Sequence, residues 1–417
     1  MFLRGSYASP SSIEAELCNI VSSDKSEQLS LLESLVNVNS GTSNLDGIHQ
    51  VGEMLRNQLN SMGFTTHWVN MPVDMQRAGT LISEHQGSKG KRLLLIAHLD
   101  TVFAKNSPFQ QFKLKDNRAT GPGVIDDKGG IVVILYALKA LQALHALDGT
   151  SITIAFVGDE ESSGKPTSIS KKPLIDAAQH SDIALEFEPS FSLNTAVTSY
   201  AGMSGWTVET HGTSAHSSDI FTPAVGDGAI FELARILNAM RVELADSRYL
   251  SFNPGIILGG TTIHFDKNIS QGDAFGKMNV VAQAASATGD LRYFTTAQKE
   301  SAQETIMAIV TQHLLGTTAT VEFSTGKPPM IATTGNMELL KKYSNVSIDL
   351  GFGEVKKVEQ RLSGAGDLSY AASLTPANLS GLGAVGIGLH STDETLDINS
   401  LQVATQRAAI LIYRLTH

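Results

Sequence analysis

The chain reads as an α/β protein built on a mostly parallel sheet flanked by helices and interrupted by one smaller α+β insert. Three observations predict this. Residues 92–97 (RLLLIA) and 151–158 (SITIAFVG) are short, continuous apolar runs, as strands buried on both faces must be. A long apolar helix over residues 129–147 lies between them, which gives the strand–helix–strand order of a parallel sheet. Near Thr198 the texture changes to alternating polar and apolar residues, and the α/β rhythm returns only after Lys327.

In chain order, apolar residues at helical spacing predict helices over 27–38 and 48–62, the second closed by Gly63 as a C-cap. Short β-rich runs at 64–69 and 80–83 precede the buried strand at 92–97. Within the insert, 202–210 alternates as a half-buried strand does, and a helix follows over 224–241. A strand at 251–258, a polar loop over 261–276, a strand over 278–294 and a helix over 297–315 complete it. Beyond it come a helix at 337–346, short strands at 354–358 and 383–388, and a last helix at 401–415. The organisation is therefore a discontinuous main domain, residues 13–197 plus 327–417, carrying an insert at 198–326.

The 417 residues give length for two or three domains. Hydrophobic residues at 42% and charged residues at 17% exclude a disordered or fibrous chain. Against 31 basic residues stand 41 acids, with no polybasic block, so no electrostatic footprint for nucleic acid or a membrane surface exists. Cys18 is the single cysteine and cannot form an internal disulfide. No apolar run approaches the roughly 18–20 residues of a membrane span, and residues 1–12 lack the apolar core of a secretory signal. The expected location is the cytoplasm, or the periplasm if a signal has been removed.

The polar residues that need explaining sit where buried strands end. After 92–97 come His98 and Asp100, which share a strand face; an imidazole that binds metal wants its other N–H held, and Asp100 could do so. Gly121 to Gly130 (GPGVIDDKGG) places Asp126 and Asp127 just before an apolar helix. Helix capping accounts for one acid there but not for the whole glycine-flanked cluster. The acids Asp159, Glu160 and Glu161 leave the strand at 151–158, where mutual repulsion would be relieved by a cation. Glu186 and Glu188 end another short apolar run, and His390 follows the strand at 383–388. These positions, at strand ends and helix starts, are where open α/β sheets bind ligands. Two imidazoles and several carboxylates suit zinc, or less specifically cobalt and manganese. A carboxylate left outside the metal shell is free to act as a general base.

With these motifs the sequence resembles the co-catalytic di-zinc metallopeptidases that include glutamate carboxypeptidases of the carboxypeptidase G type, aminoacylases and succinyl-diaminopimelate desuccinylases. HLDTV at His98, GPGVIDDKGG ending at Gly130, DEE at Asp159, FEP at Phe187 and GLHS at Gly388 stand in the family's order over nearly the whole chain. The resemblance implies a zinc-exopeptidase-like main domain, a lid and dimerisation role for the insert, and two Zn2+ per subunit. It implies that Asp126 bridges the ions through a cis link to Asp127, that His98 and Glu188 complete one site, and that Glu161 and His390 complete the other. Glu160 would be the general base and Asp100 the orienter of His98. In the insert, GTSAH resembles a motif whose histidine, here His216, reaches the partner subunit's site to stabilise the oxyanion. Asn279 and Arg292 match positions that bind the substrate's carboxylate, a task that suits a guanidinium fork.

Other readings stand beside these. Arg292 can instead pair with Asp290, Glu186 competes with Glu188 as ligand, Asp127 and Lys128 can simply shape their turn, and Asp393 and Glu394 are expected to be solvated. Thr213 stands where the family has a lysine, Ala282 where it has a proline, and 261–276 looks like an insertion. The expected activity is zinc-dependent amide hydrolysis releasing a C-terminal amino acid, glutamate foremost, from an N-acyl amino acid, folate-like conjugate or short peptide. The partner expected is a second copy of the chain. The alternatives are an aminoacylase or dipeptidase of the same superfamily, or a metal-binding protein without catalysis.

Overall fold

The computed structural model describes residues 10–245, 250–266 and 271–417. The chain divides into two compact units, Met1–Ser199 with Ala332–His417, and Tyr200–Ile331.

The first unit is built on a six-stranded sheet, in the order Thr65–Val69, Thr80–His85, Thr150–Val157, Lys89–His98, Ile183–Glu186 and Ala377–Leu379. The last four run parallel to one another, while the first two form an antiparallel edge. Leu93, Leu94, Leu95 and Ile96 are all buried, which is why this strand reads as an unbroken apolar run. The helices Lys128–Ala143 and Ile398–Thr416 pack against each other in the same core, with Ile131, Leu135, Leu138, Leu401 and Ile412 buried. His98 pairs with Val157 and Ile96 with Glu186, so three parallel strands end at the same edge of the sheet.

A second, four-stranded antiparallel sheet sets the position of one more loop. Its order is Gly386–Ile387, Thr395–Asp397, Arg118–Thr120 and Lys113–Lys115. The Gly386–Ile387 and Thr395–Asp397 pair carries His390 in its connection, and Arg118–Thr120 runs straight into the loop of Asp126. Pairing of Thr395 with Thr120 therefore brings two loops 270 residues apart in sequence to the same place.

The second unit is a four-stranded antiparallel sheet, ordered Ser251–Gly260, Ala284–Tyr293, Gly202–His211 and Thr318–Phe323, with helices Ala229–Leu244 and Thr296–Val310 on it. Trp206, Val208, Leu233, Ile236, Ala287 and Ile306 form its separate core. Where a polar loop is expected over 261–276, the chain forms a hairpin, Thr262–Asp266 paired with Gln271–Phe275. The reason is visible in the alternation: Ile263 and Phe265 are half-buried between exposed Thr262, His264 and Asp266. The helix expected from residue 224 begins only at Ala229, because Gly226 and Gly228 take left-handed backbone just before it. Among the elements without a sequence expectation are the N-terminal helix Ser12–Ser23, opened by a Ser11–Glu14 capping box, and the sheet strands Thr318–Phe323 and Ala377–Leu379. Among the described residues no helix is long and apolar enough to cross a membrane.

Candidate metal centre

His98 ends its strand with the side chain almost wholly buried. Its Nδ1 faces the backbone carbonyl of Asp100 at 3.0 Å and the Asp100 carboxylate at 3.4 Å. Both are acceptors, so Nδ1 carries the ring proton. Nε2 faces oxygens too, Asp126 Oδ1 at 2.9 Å and Glu188 Oε1 at 3.6 Å. An imidazole with acceptors on both sides needs either a second proton or a cation at Nε2.

His390, held at a left-handed φ of 61°, approaches the same aspartate from the other side. Its Nε2 lies 3.0 Å from Asp126 Oδ2 and 3.3 Å from Glu161 Oε2. Asp126 thus presents one oxygen to each imidazole. Two donor sets result, His98–Asp126–Glu188 and Asp126–Glu161–His390, each with its donor atoms within 4.8 Å of one another. Two donors about 2.1 Å from one ion at a tetrahedral angle lie about 3.4 Å apart, close to the 2.9–3.6 Å seen here. Glu161 Oε1 is buried without a hydrogen-bond partner, as an oxygen reserved for a cation would be. Histidine nitrogens and carboxylate oxygens in this number fit a pair of divalent ions.

The electrostatics agree with that fit. Burial raises the Glu188 carboxyl well above its usual range, and the charge of Asp126 adds to it. Glu161 is pushed up to about 8, first by burial and then by the neighbouring charges of Asp126 and Glu160. Burial disfavours a charged His98, but its bonds to Asp100 and Asp126 outweigh this and hold it well above the ordinary imidazole value. A buried group of acids that resists ionising is relieved by positive charge.

The backbone around these donors is fixed by neighbouring side chains outside the two donor sets. The Asp126–Asp127 peptide is cis. Glu394, expected in solvent, is buried and accepts the N–H groups of Gly123 and Ile125 at 3.0 Å and of Asp126 at 3.2 Å, so it cradles the loop that presents the Asp126 carboxylate. Asp127 is fully buried and accepts the His98 N–H at 3.3 Å. A side chain on Gly130 would strike Phe187 O and the Asp127 carboxylate, so the glycine lets the helix start pack beside the Glu188 loop. Glu186 turns to a structural task, accepting Leu368 N–H and Ser380 Oγ–H, each at 2.6 Å, while Glu188 faces His98.

Asp100 holds more than His98. Its carboxylate accepts the N–H of Glu160 at 3.0 Å, the N–H of Glu161 at 3.2 Å and the Thr42 hydroxyl at 2.6 Å. Glu160 itself is buried, and its charge is felt by Glu161, Glu188 and His390 together. Behind this acidic loop the fully buried Lys171 binds Asp159 at 2.8 Å and Asp367 at 2.9 Å. No local sequence signal ties Lys171 or Asp367 to the loop.

A family model describing peptidase family M20/M25/M40 matches residues 94–414. The chain belongs to this family. Carboxypeptidase G2 of Pseudomonas sp. (strain RS-16) is 30% identical over 400 residues, covering 91% of this chain and 87% of that protein. The aminopeptidase PepT from Bacillus cereus ATCC 10987 has a similar structure, with a TM-score of 0.74 at 15% identity, over 94% of this chain and 99% of its own. The Bacillus subtilis YXEP protein, described as a dinuclear metal binding peptidase, gives a TM-score of 0.64 at 15% identity, over 95% and 99%.

The remaining site candidates of this M20/M25/M40 peptidase lie in its second unit. His216 is exposed; it forms an isolated bridge with Val280, and the neighbouring Ser217 N–H donates to Asn279 O at 3.0 Å, so His216 and Asn279 are brought together. Its Nδ1 lies 2.8 Å from Ser218 Oγ and accepts the Ser218 N–H at 3.3 Å, which leaves the proton on Nε2. Arg292 is partly exposed, and its Nε binds Asp290 at 2.9 Å.

Proposed function

We propose that this M20/M25/M40 peptidase is a zinc-dependent hydrolase that releases a C-terminal amino acid, glutamate foremost, from an N-acyl amino acid or short peptide with a free α-carboxylate. The observation that carries this reading is the Asp126 carboxylate, with one oxygen at each of two histidines and a further glutamate on either side. His98, Asp126 and Glu188 would hold one ion, and Asp126, Glu161 and His390 the other. When bound, two such ions polarise a carbonyl and make water acidic enough to attack at neutral pH. The similarity to carboxypeptidase G2 supports the choice of a C-terminal amino acid.

Glu160 is not among the ligands and is free to carry a proton. It takes one from the attacking water and passes it to the leaving nitrogen, so the C–N bond breaks with the amine neutral. Asp100 keeps Glu160 in reach by binding its backbone N–H. His216, with its proton on Nε2, reaches the site of a partner copy and donates there to the oxyanion that develops on the carbonyl. Asn279 and Arg292 receive the substrate's α-carboxylate; the pairing of Arg292 Nε with Asp290 leaves both terminal nitrogens for that task. The inserted unit also serves as the contact between two copies of the chain, a reading supported by exposed Phe221, Phe231, Ile257 and Met278.

The test is hydrolysis of a panel of N-acyl amino acids and folate-type glutamate conjugates, with chelator and with added zinc. Chelator-sensitive release of glutamate supports the reading. Metal-dependent release of other amino acids keeps the mechanism but moves the enzyme to the aminoacylase or dipeptidase side, and activity that ignores chelator contradicts it.

A further inference from the structure

The first unit contains a cavity of about 320 Å³ that has Glu161 in its wall. Thr42, Thr101, Val102, Ser162 and Arg77 also line it. Among the described residues lining it Arg77 is the one cation, and its hydrogen bonds go to neutral acceptors. Its Nε donates to Ser162 O at 2.6 Å, one terminal nitrogen to Ser162 Oγ at 3.0 Å and the other to Gln76 O at 2.9 Å. No carboxylate of the described residues lies within ion-pair distance of it. The three bonds fix the guanidinium plane, and each terminal nitrogen still carries a second N–H.

A fixed, half-buried guanidinium without an acid partner is unusual in a chain with 41 acids. Glu161 turns to His390, and the Asp100 carboxylate is taken up by the N–H groups of Glu160 and Glu161. The N–H groups of Glu160 and Glu161 therefore have their partner, and Arg77 is the cationic side chain in the wall. A planar fork of this kind matches a carboxylate by paired hydrogen bonds. The volume lies at the low end of the roughly 300–1,000 Å³ typical of small-molecule sites, which fits a compact group and not a multi-ring one.

We infer that this cavity is the subsite for the acyl half of the substrate and that Arg77 selects acyl groups ending in a carboxylate. The inference rests on the proposed amide hydrolysis, in which Arg292 takes the α-carboxylate at the other end. It narrows the substrate class to short dicarboxylic N-acyl amino acids, or to peptides with an acidic residue on the acyl side. Arg77 is a specificity residue here and takes no part in bond breaking.

The experiment compares N-glutaryl-glutamate with N-pentanoyl-glutamate, which differ in the terminal carboxylate, on the zinc-loaded wild type, Arg77→Met and Arg77→Lys. Calorimetric binding of free glutarate and pentanoate to the same proteins is the second readout. The wild type is expected to favour the glutaryl substrate in kcat/KM by about tenfold or more. Arg77→Met should erase that ratio through KM while leaving pentanoyl hydrolysis near wild type, and Arg77→Lys should restore part of it. Glutarate binding should weaken in Arg77→Met by a similar factor, with pentanoate unchanged. Equal loss on both substrates would mean that Arg77 only props the Ser162 loop, and would overturn the inference. So would a wild type that cleaves both equally, although amide hydrolysis would then stand. If neither substrate is cleaved under any metal condition, hydrolysis of this class fails; a glutarate preference that still depends on Arg77 would then keep the subsite alone.

Discussion

The backbone N–H of Glu160 donates to the Asp100 carboxylate at 3.0 Å. The same carboxylate accepts from Glu161 and Thr42 and stands beside the His98 ring. One buried acid therefore positions His98, Glu161 and, between them in its contacts, Glu160, the two ligands and the base of the proposed function. Removing it should disturb all three. Asp100→Ala is expected to lower metal affinity about 10–100-fold and to lower kcat beyond what restored metal recovers. Titration with zinc under a competing chelator, followed by assay at saturating zinc, separates the two effects. Asp100→Asn, which keeps an acceptor oxygen, should lie between Ala and wild type.

Asp126 offers one oxygen to each donor set, whereas His390 belongs to one. Asp126→Ala should therefore lose both ions together, and His390→Ala should keep the ion of His98 and Glu188. Elemental analysis of the two purified variants tests this. Equal metal content in both would contradict a shared ligand.

Lys171 is buried between Asp159 and Asp367 and pairs with both. Lys171→Met leaves two buried acids unpaired and should cost about 3–5 kcal/mol in denaturant unfolding. Because Asp159 begins the acidic loop, Glu160 and Glu161 should also lose their fixed places, and activity should fall further than stability alone explains.

How much of this was legible in sequence depends on how local each cause is. The buried strand carrying His98 shows itself as a continuous apolar run, and the acids at 159–161 stand out because they leave such a strand. The hairpin within 261–276 was hidden under polar composition, although its alternation of Ile263 and Phe265 with polar residues carries the signal. Glu394 looks like a solvated acid because its partners, the N–H groups at 123–126, are some 270 residues away. Lys171 and Asp367 are hidden for the same reason: an ion pair closed by the fold leaves no spacing to read. Alternation would put Glu186 and Glu188 on one strand face, but the strand ends at Glu186 and the turn of the chain after it separates their tasks.

Arg414 links the two ends of the first unit, binding Glu14 at 2.6 Å and Asp349 at 2.8 Å. Burial raises the Glu14 carboxyl, but the bonds and charge of Arg414 and the Ser11 N–H outweigh it, so the folded value lies below the usual 4.5. A folded value lower than the unfolded one means that the unfolded chain binds the proton first. Glu14 thus contributes stability above about pH 4.5 and loses it as the pH falls through the lower folded value. Glu14→Gln should cost about 1–3 kcal/mol at neutral pH and progressively less as the pH falls below the usual 4.5. Denaturant midpoints of the two proteins across that range check the sign; a gap that widens on acidification would contradict it.

In the proposed function Glu160 moves the proton while Asp126 and its four companions hold the metal pair. Metal content and turnover measured on the same preparation of Glu160→Gln test it most directly. The account predicts close to two ions per chain, as in the wild type, with turnover lowered by about 10²–10⁴. Turnover near wild type would contradict the assignment of the base, and a wild-type protein that binds no divalent ion would contradict the metal centre itself.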